Sequence, residues 1–315
     1  MSQEFRRFLL PGVLLLAAIV VFPLFAGNYA MRLASILAME AGLAFAWNII
    51  GGFAGYPSFA TAAFFGLGAY AAGLLATHGV PFYLAWLGAG GVTALFAGLL
   101  GLAILHLRGH YFAIISLIVA DALRETINDW TSFTGGGMGI NLPLLPGDVV
   151  VQARIIYGAM MLVALAALTV TFWLDRGRIG FALRCIAQNE DAAVMIGVNA
   201  RRTKTIAFML SSLFPGVIGG IYASWVTYID PNDVFDVLHS IEPIVVALLG
   251  GAGTVFGPIF GAAVLVGLEE VAWRNLLQFH EAMLGILVVA LVLLLPRGLQ
   301  SFGTGAWRRR LRRAA

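Results

Sequence analysis

The sequence predicts an all-α polytopic membrane protein, a bundle of about eight to ten transmembrane helices, and three observations predict it. Of its 315 residues, 60% are apolar and 11% are charged. A soluble domain of this length needs far more charge on its surface, so lipid must be the solvent for most of the chain. The apolar residues come in long runs, without the two-residue alternation of a barrel strand. Glycine is abundant, with 38 residues spread through those runs, which suits helices whose backbones approach closely in lipid.

A hydrocarbon core about 30 Å thick takes roughly 20 helical residues. Apolar runs bounded by Gly, Pro or charge place spans at 8–26, 30–50, 57–77, 81–105, 110–128, 153–174, 206–228, 240–253, 257–272 and 282–296. The first follows Arg6 and Arg7 but outruns a signal-peptide core, and no small-residue cleavage site follows it, so an uncleaved helix is expected. The run 240–253 is short for a crossing and is open to a re-entrant reading, buried against its neighbours. The whole chain, 1–315, reads as a single transmembrane domain with a long inner loop at 175–204 and a basic tail at 297–315. The lone cysteine, Cys185, allows no intrachain disulfide and reads as a packing residue.

Charge placement sets the orientation. Fifteen of the 19 Lys and Arg residues fall on one side if the N-terminus is cytoplasmic, while Arg32, Arg154 and Arg274 fall on the other and Arg124 lies within a span. The positive-inside rule then puts both termini in the cytoplasm of a multi-pass protein of a bacterial inner membrane. The tail from Trp307 to Arg313 is an interfacial aromatic followed by arginines near anionic lipid, and nothing around it forms a basic surface for nucleic acid.

Polar side chains inside a bilayer are costly and usually face the bundle interior. Glu40 and Asn48 lie in the second span, and Asp121, Arg124 and Glu125 share one face of the fifth. Glu242 opens the eighth beside Pro243. The candidate pathway residues are therefore Glu40, Asn48, Asp121, Arg124 and Glu242. A self-neutralising Asp121–Arg124 pair is an equal alternative for that helix, and Glu269 and Glu270 read as interfacial. A weak internal echo links Gly52-Phe-Ala-Gly55 to Gly250-Gly-Ala-Gly253.

The inner loop contains a short helix with readable ends. Asn189 is a good N-cap, Glu190 and Asp191 put negative charge in the first turn, and Ala192, Ala193, Val194 and Met195 continue it until Gly197 supplies a left-handed stop. Upstream, Ile179, Leu183 and Ile186 make an amphipathic stretch. A helix lying on the membrane surface is the plain reading; a docking helix for a cytoplasmic motor is the functional one.

Asp191-Ala-Ala-Val-Met-Ile-Gly197 resembles the E-A-A-x-x-x-G loop of ABC importer permeases, with Asp in the first position. Gly55-Tyr-Pro-Ser-Phe-Ala-Thr-Ala-Ala-Phe-Phe-Gly-Leu-Gly-Ala-Tyr70, Arg108-Gly-His-Tyr-Phe-Ala-Ile114, Asn128-Asp-Trp-Thr-Ser-Phe-Thr-Gly-Gly136, Arg178-Ile-Gly-Phe-Ala-Leu-Arg184 and the glycine-rich 248–263 are similar to the M-type branched-chain amino-acid permeases of high-affinity ABC uptake systems. The resemblance runs from about Leu43 to Leu299. It implies an ATP-driven importer subunit forming half of a pathway with a homologous permease. It also implies two ABC ATPase subunits on the loop helix and a periplasmic binding protein outside, near 129–152. A permease for urea or short amides shares these motifs, and a proton-coupled secondary transporter using Glu40 and Asp121 is the rival from another class.

The chain itself carries no motor. A phosphate-binding Gly-Lys-Ser/Thr needs a lysine, and the only one, Lys204, follows Thr203. ATP and magnesium are thus expected on partner subunits, with no cofactor held by this chain. No nucleophile elbow is present, and His106 and His110 stand at i, i+4 without a supporting acid, so neither a catalytic nor a metal site is expected.

Overall fold

A computed structural model describes residues 22–23 and 27–275. The last expected span, 282–296, the basic tail 297–315 and all but two residues of the first span lie outside the described residues. Within them the chain is almost wholly helical. Helix α1 (Asn28–Trp47) runs on into a π-helix, Asn48–Phe53. Then come α2 (Thr61–Thr77), α3 (Phe82–Ile104), α4 (His110–Asp129), α5 (Val149–Arg176), α6 (Arg178–Gln188), α7 (Glu190–Met195), α8 (Ala200–Val226), α9 (Leu238–Gly250) and α10 (Gly257–Asn275). Four of the described helices are long and apolar enough to cross a bilayer: Asn28–Phe53, α3, α5 and α8. With 13 residues, α9 is about 20 Å long, well short of a hydrocarbon core about 30 Å thick. It is a half-helix that pairs with α10 through the turn at 251–256.

Helix α8 is the hub, packing on α3, α2 and α1. Small residues let it do so: a Cβ on Gly219 would lie 2.1 Å from the Phe65 carbonyl oxygen, and one on Gly216 would lie 2.1 Å from Thr93 Oγ1. In lipid, apolar side chains gain little by leaving the solvent, so close backbone approach and interhelical hydrogen bonds hold helices together. Both occur here, with Thr93 Oγ1 donating to the Ser212 carbonyl (3.1 Å) and Ser212 Oγ to the Thr93 carbonyl (3.2 Å).

The expected span 57–77 becomes helical only at Thr61. Residues 54–60 enter the bundle unwound, which lipid would not tolerate unless the freed backbone groups found partners. Serines on two other helices supply them. The Phe59 amide donates to Ser116 Oγ on α4 (2.8 Å), and the Ala62 amide donates to Ser240 Oγ on α9 (2.9 Å). Ser240 Oγ in turn donates to the Phe59 carbonyl (2.6 Å).

At the end of the bundle opposite α6 and α7, a two-residue antiparallel ribbon joins Ile140–Asn141 to Tyr228–Ile229 and ties the long 130–148 connection to the end of α8. The amphipathic stretch expected at 179–186 is α6, with Leu183 and Ile186 buried against the bundle.

Candidate functional site

The loop helix α7 forms with the expected ends. Asn189 Oδ1 accepts the Ala192 amide at 3.0 Å. At the other end Gly197 sits at φ +91°, the Val198 amide donates to the Ala193 carbonyl, and the Gly197 amide donates to the Val194 carbonyl, each at 3.0 Å. That is a Schellman stop, which consumes the carbonyls a six-residue helix would otherwise leave open. Ala193 faces inward and is buried, whereas Val194, Met195 and Ile196 project outward, Met195 with 86% of its surface exposed. Three adjacent apolar side chains in water are costly unless something covers them.

The inner side of α7 is anchored by a lysine. Lys204, in the second turn of α8, is 2% exposed. Its Nζ donates to Glu190 Oε1 (2.8 Å), to Tyr56 Oη (2.9 Å) and to the Leu105 carbonyl (2.7 Å), so all three donors are used. The Tyr56 hydroxyl donates to Glu190 Oε2 at 2.5 Å, and Arg108 Nε lies 3.3 Å from the same oxygen. Arg108 also grips Asp191 with both guanidinium nitrogens, at 2.9 and 3.2 Å. Five side chains thus tie α7 to the unwound 54–60 segment, to the α3–α4 connection and to the foot of α8.

The electrostatics are set by this geometry. Burial alone would push the Glu190 carboxyl up; the hydrogen bonds from Lys204 and Tyr56, with the charges of Lys204 and Arg108, outweigh it and hold the group below the usual carboxylate range. The Arg108 hydrogen bonds and charge pull Asp191 down as well. Tyr56 is pushed above the ordinary phenol range by burial first and by its bond to Glu190 second. At neutral pH Glu190 and Asp191 are therefore anions and Tyr56 is a neutral phenol.

Sequence reasoning placed Glu190 and Asp191 here but missed Lys204, Tyr56 and Arg108. A signal for Lys204 exists: it falls on the buried stripe Ala200, Lys204, Ala207, Phe208, Ser211 of α8, where a lone cation breaks an apolar face.

The candidate pathway residues are placed in three groups. Glu40 (3% exposed) and Glu242 lie on α1 and α9, within electrostatic reach of each other and of Glu269 on α10. Glu40 Oε2 has no hydrogen-bond partner among the described residues. Asn48 is fully buried and turns its amide to the 251–254 turn: Oδ1 accepts the Gly253 amide (2.7 Å) and Nδ2 donates to the Thr254 carbonyl (2.9 Å). Asp121 and Arg124 are elsewhere, on α4, with Arg124 3.5 Å from Asp121 and 3.2 Å from Glu125.

Helix α4 is packed on one side only, through Phe112, Ser116, Ala120 and Ile127. Its open side carries Tyr111, Ile114 and Ile118 and then, about 16 and 22 Å along the axis from His110, the charges Asp121 and Glu125, with the half-buried Arg124 between them. The open faces of α3 and α5 are apolar instead, with Leu87, Leu95 and Leu99 on the first and Leu162 and Trp173 on the second. Those faces suit lipid, whereas a face with three charges at that depth does not. Among the described residues, no three His, Cys, Asp or Glu side chains are grouped to hold a metal ion.

Comparison with known proteins agrees with this architecture. A family model described as "Branched-chain amino acid transport system / permease component" matches residues 28–296. The high-affinity branched-chain amino acid transport system permease protein LivM of Escherichia coli is 27% identical, over 91% of this chain and 73% of its own. The corresponding protein LivH of Salmonella typhimurium is 23% identical, over 59% of this chain and 63% of its own. The autoinducer 2 import system permease protein LsrC of Klebsiella pneumoniae is 30% identical over 40% of each chain. No solved structure matches.

Proposed function

The chain belongs to the branched-chain amino acid transport system permease component family, and from that premise we propose that it is the membrane-spanning permease subunit of an ATP-driven importer of branched-chain amino acids. It pairs with a homologous permease to enclose the pathway in a bacterial inner membrane, with both termini in the cytoplasm. Two ABC ATPase subunits, which carry the ATP and magnesium, sit on the cytoplasmic face. A periplasmic binding protein docks at the other, where Trp130, Phe133, Met138 and Leu144 are exposed on the outer loop.

One observation carries the reading: α7 presents an exposed apolar tip, Val194-Met195-Ile196, on a base locked into the bundle by Lys204 and Glu190. A helix that merely lay on the membrane would need no such anchor, whereas a helix that is pushed must pass the push on. The three charges on the open side of α4 support the pathway half of the proposal. They are stable in the bilayer plane only against water or another polar surface, which a second permease subunit and a solvated path supply. A zwitterionic amino acid needs weak partners of both signs along its route, and Asp121, Arg124 and Glu125 provide them.

The test is co-purification with the ATPase subunits. Met195→Asp places a charge on the tip and leaves the anchor intact, so the variant should insert normally and lose the ATPases. Wild-type capture of the ATPases by this variant would sink the docking role of α7.

A further inference from the structure

Between α7 and the membrane-buried carboxylates lies a π-helix. Residues Asn48–Phe53 close α1 as a π-helix, whose hydrogen bonds reach one residue further along the chain than those of the helix above them. Reverting such a turn to α-helix advances the residues beyond it by one helical step, about 1.5 Å and 100°. π-Turns persist where the surroundings hold them, and here both ends are held.

At the lower end, Phe53 lies under the Arg184 guanidinium of α6, 5.3 Å from the ring centre. Gly55 (φ +71°) leaves only 3.3 Å between a would-be Cβ and Ala187 of α6, and Tyr56 belongs to the Lys204–Glu190 cluster. Any displacement of α6 and α7 therefore bears on residues 53–56.

At the upper end, Asn48 spans a sequence gap of more than 200 residues to hold the α9–α10 turn with both amide atoms. The two backbones touch beside it. A Cβ on Gly52 would lie 2.5 Å from the Gly253 nitrogen, and one on Gly253 would lie 3.0 Å from the Gly52 carbonyl oxygen. The two glycine-rich segments that echo each other in sequence are thus in contact. From this turn α9 rises to Glu242, eight residues above Gly250 and close to Glu40.

We propose that Asn48 is a positioning residue which makes the π-helical end of α1 and the α9–α10 hairpin move as one body, so that displacement of α7 reaches the carboxylates Glu40 and Glu242. This rests on the importer reading above and names the route by which its motor acts. Both polar atoms of the Asn48 side chain are turned to the Gly253–Thr254 backbone.

The experiment uses the complete transporter in proteoliposomes, with permease pair, ATPases, binding protein and internal ATP, and radiolabelled leucine as the probe. Asn48→Ala should capture the ATPases and hydrolyse ATP at rates within about twofold of wild type, while leucine taken up per ATP falls about tenfold, a loss of roughly 1.4 kcal/mol in coupling. Hydrolysis and uptake falling in proportion would mean a structural role only and overturn the proposal, as would an unchanged ratio. Because Asn48→Ala could fail to assemble, a second measurement uses Asn48 itself. In a Cys185→Ser background, spin labels at Ala54 and Thr254 should keep their separation through the nucleotide cycle while a label at Val194 moves relative to both. A changing 54–254 separation would overturn the proposal. A wild-type complex that takes up leucine without needing ATP would instead overturn the importer reading on which it rests.

Discussion

Replacing Lys204 by methionine keeps most of the buried stem and removes one ammonium group. Three acceptors lose their donor at once: Glu190 Oε1, Tyr56 Oη and the Leu105 carbonyl. Breaking a buried ion pair by deleting one partner costs about 3–5 kcal/mol, because the other charge stays behind. Glu190 retains Tyr56 and Arg108, so the lower bound of about 3 kcal/mol applies. The cost falls first on the attachment of α7, where the population of detached states should rise about 150-fold, each 1.36 kcal/mol being tenfold. Amide hydrogen exchange over residues 192–198 reads that population directly and should speed up by this factor, or to the limit of free exchange. Adding Glu190→Gln removes the orphaned charge and should recover at least about 1 kcal/mol, a coupling in the range seen for contacting pairs. Exchange that rises less than threefold in Lys204→Met, or a double variant worse than the sum of the single ones, would refute the argument that this lysine anchors α7.

Two further outcomes rest on the same geometry. The folded-state carboxyl of Glu190 is held below its ordinary value of 4.5, so its contribution is present above that value and is lost as pH falls through the lower folded value. Protection of α7 from proteolysis should therefore stay flat from pH 7 down to about pH 4.5 and decline only below it; a decline centred near pH 6 would contradict the assignment. Gly216→Val drives a branched side chain into Thr93 and should cost about 1–3 kcal/mol by overpacking, read as a lower thermal midpoint of the solubilised protein. An unchanged midpoint would mean that the α3–α8 contact is looser than described.

Much of this architecture is legible in the sequence because lipid imposes a simple rule: a long apolar run must be helical. Helices α3 and α5 fall where hydropathy puts them, within a few residues, α8 begins at Ala200 rather than at 206, and α7 is legible because its cap and stop are local chemistry written into Asn189 and Gly197. Contacts between segments distant in the chain are not legible in this way. Lys204 counts as one more loop cation until its surroundings are seen, since its partners Tyr56 and Leu105 lie 148 and 99 residues away. The unwound start of α2 reads as part of an apolar span because the serines that make it tolerable, Ser116 and Ser240, belong to other helices. The echo between Gly52–Gly55 and Gly250–Gly253 shows two similar segments, but no single-chain pattern says that they touch. The carboxylates divide likewise. Asp121, Arg124 and Glu125 share a face by spacing alone, whereas the proximity of Glu40 to Glu242 needs the packing of α1 on α9.

In the importer proposed above, ATP hydrolysed on partner subunits drives movement of a branched-chain amino acid through this chain and a homologous permease. The direct test is radiolabelled leucine uptake by proteoliposomes holding the complete transporter, with ATP maintained inside and a proton uncoupler added. Uptake by such an importer should require internal ATP and persist with the uncoupler. Uptake that collapses with the uncoupler while ATP is maintained would contradict it and transfer the work to a proton carried by the buried carboxylates.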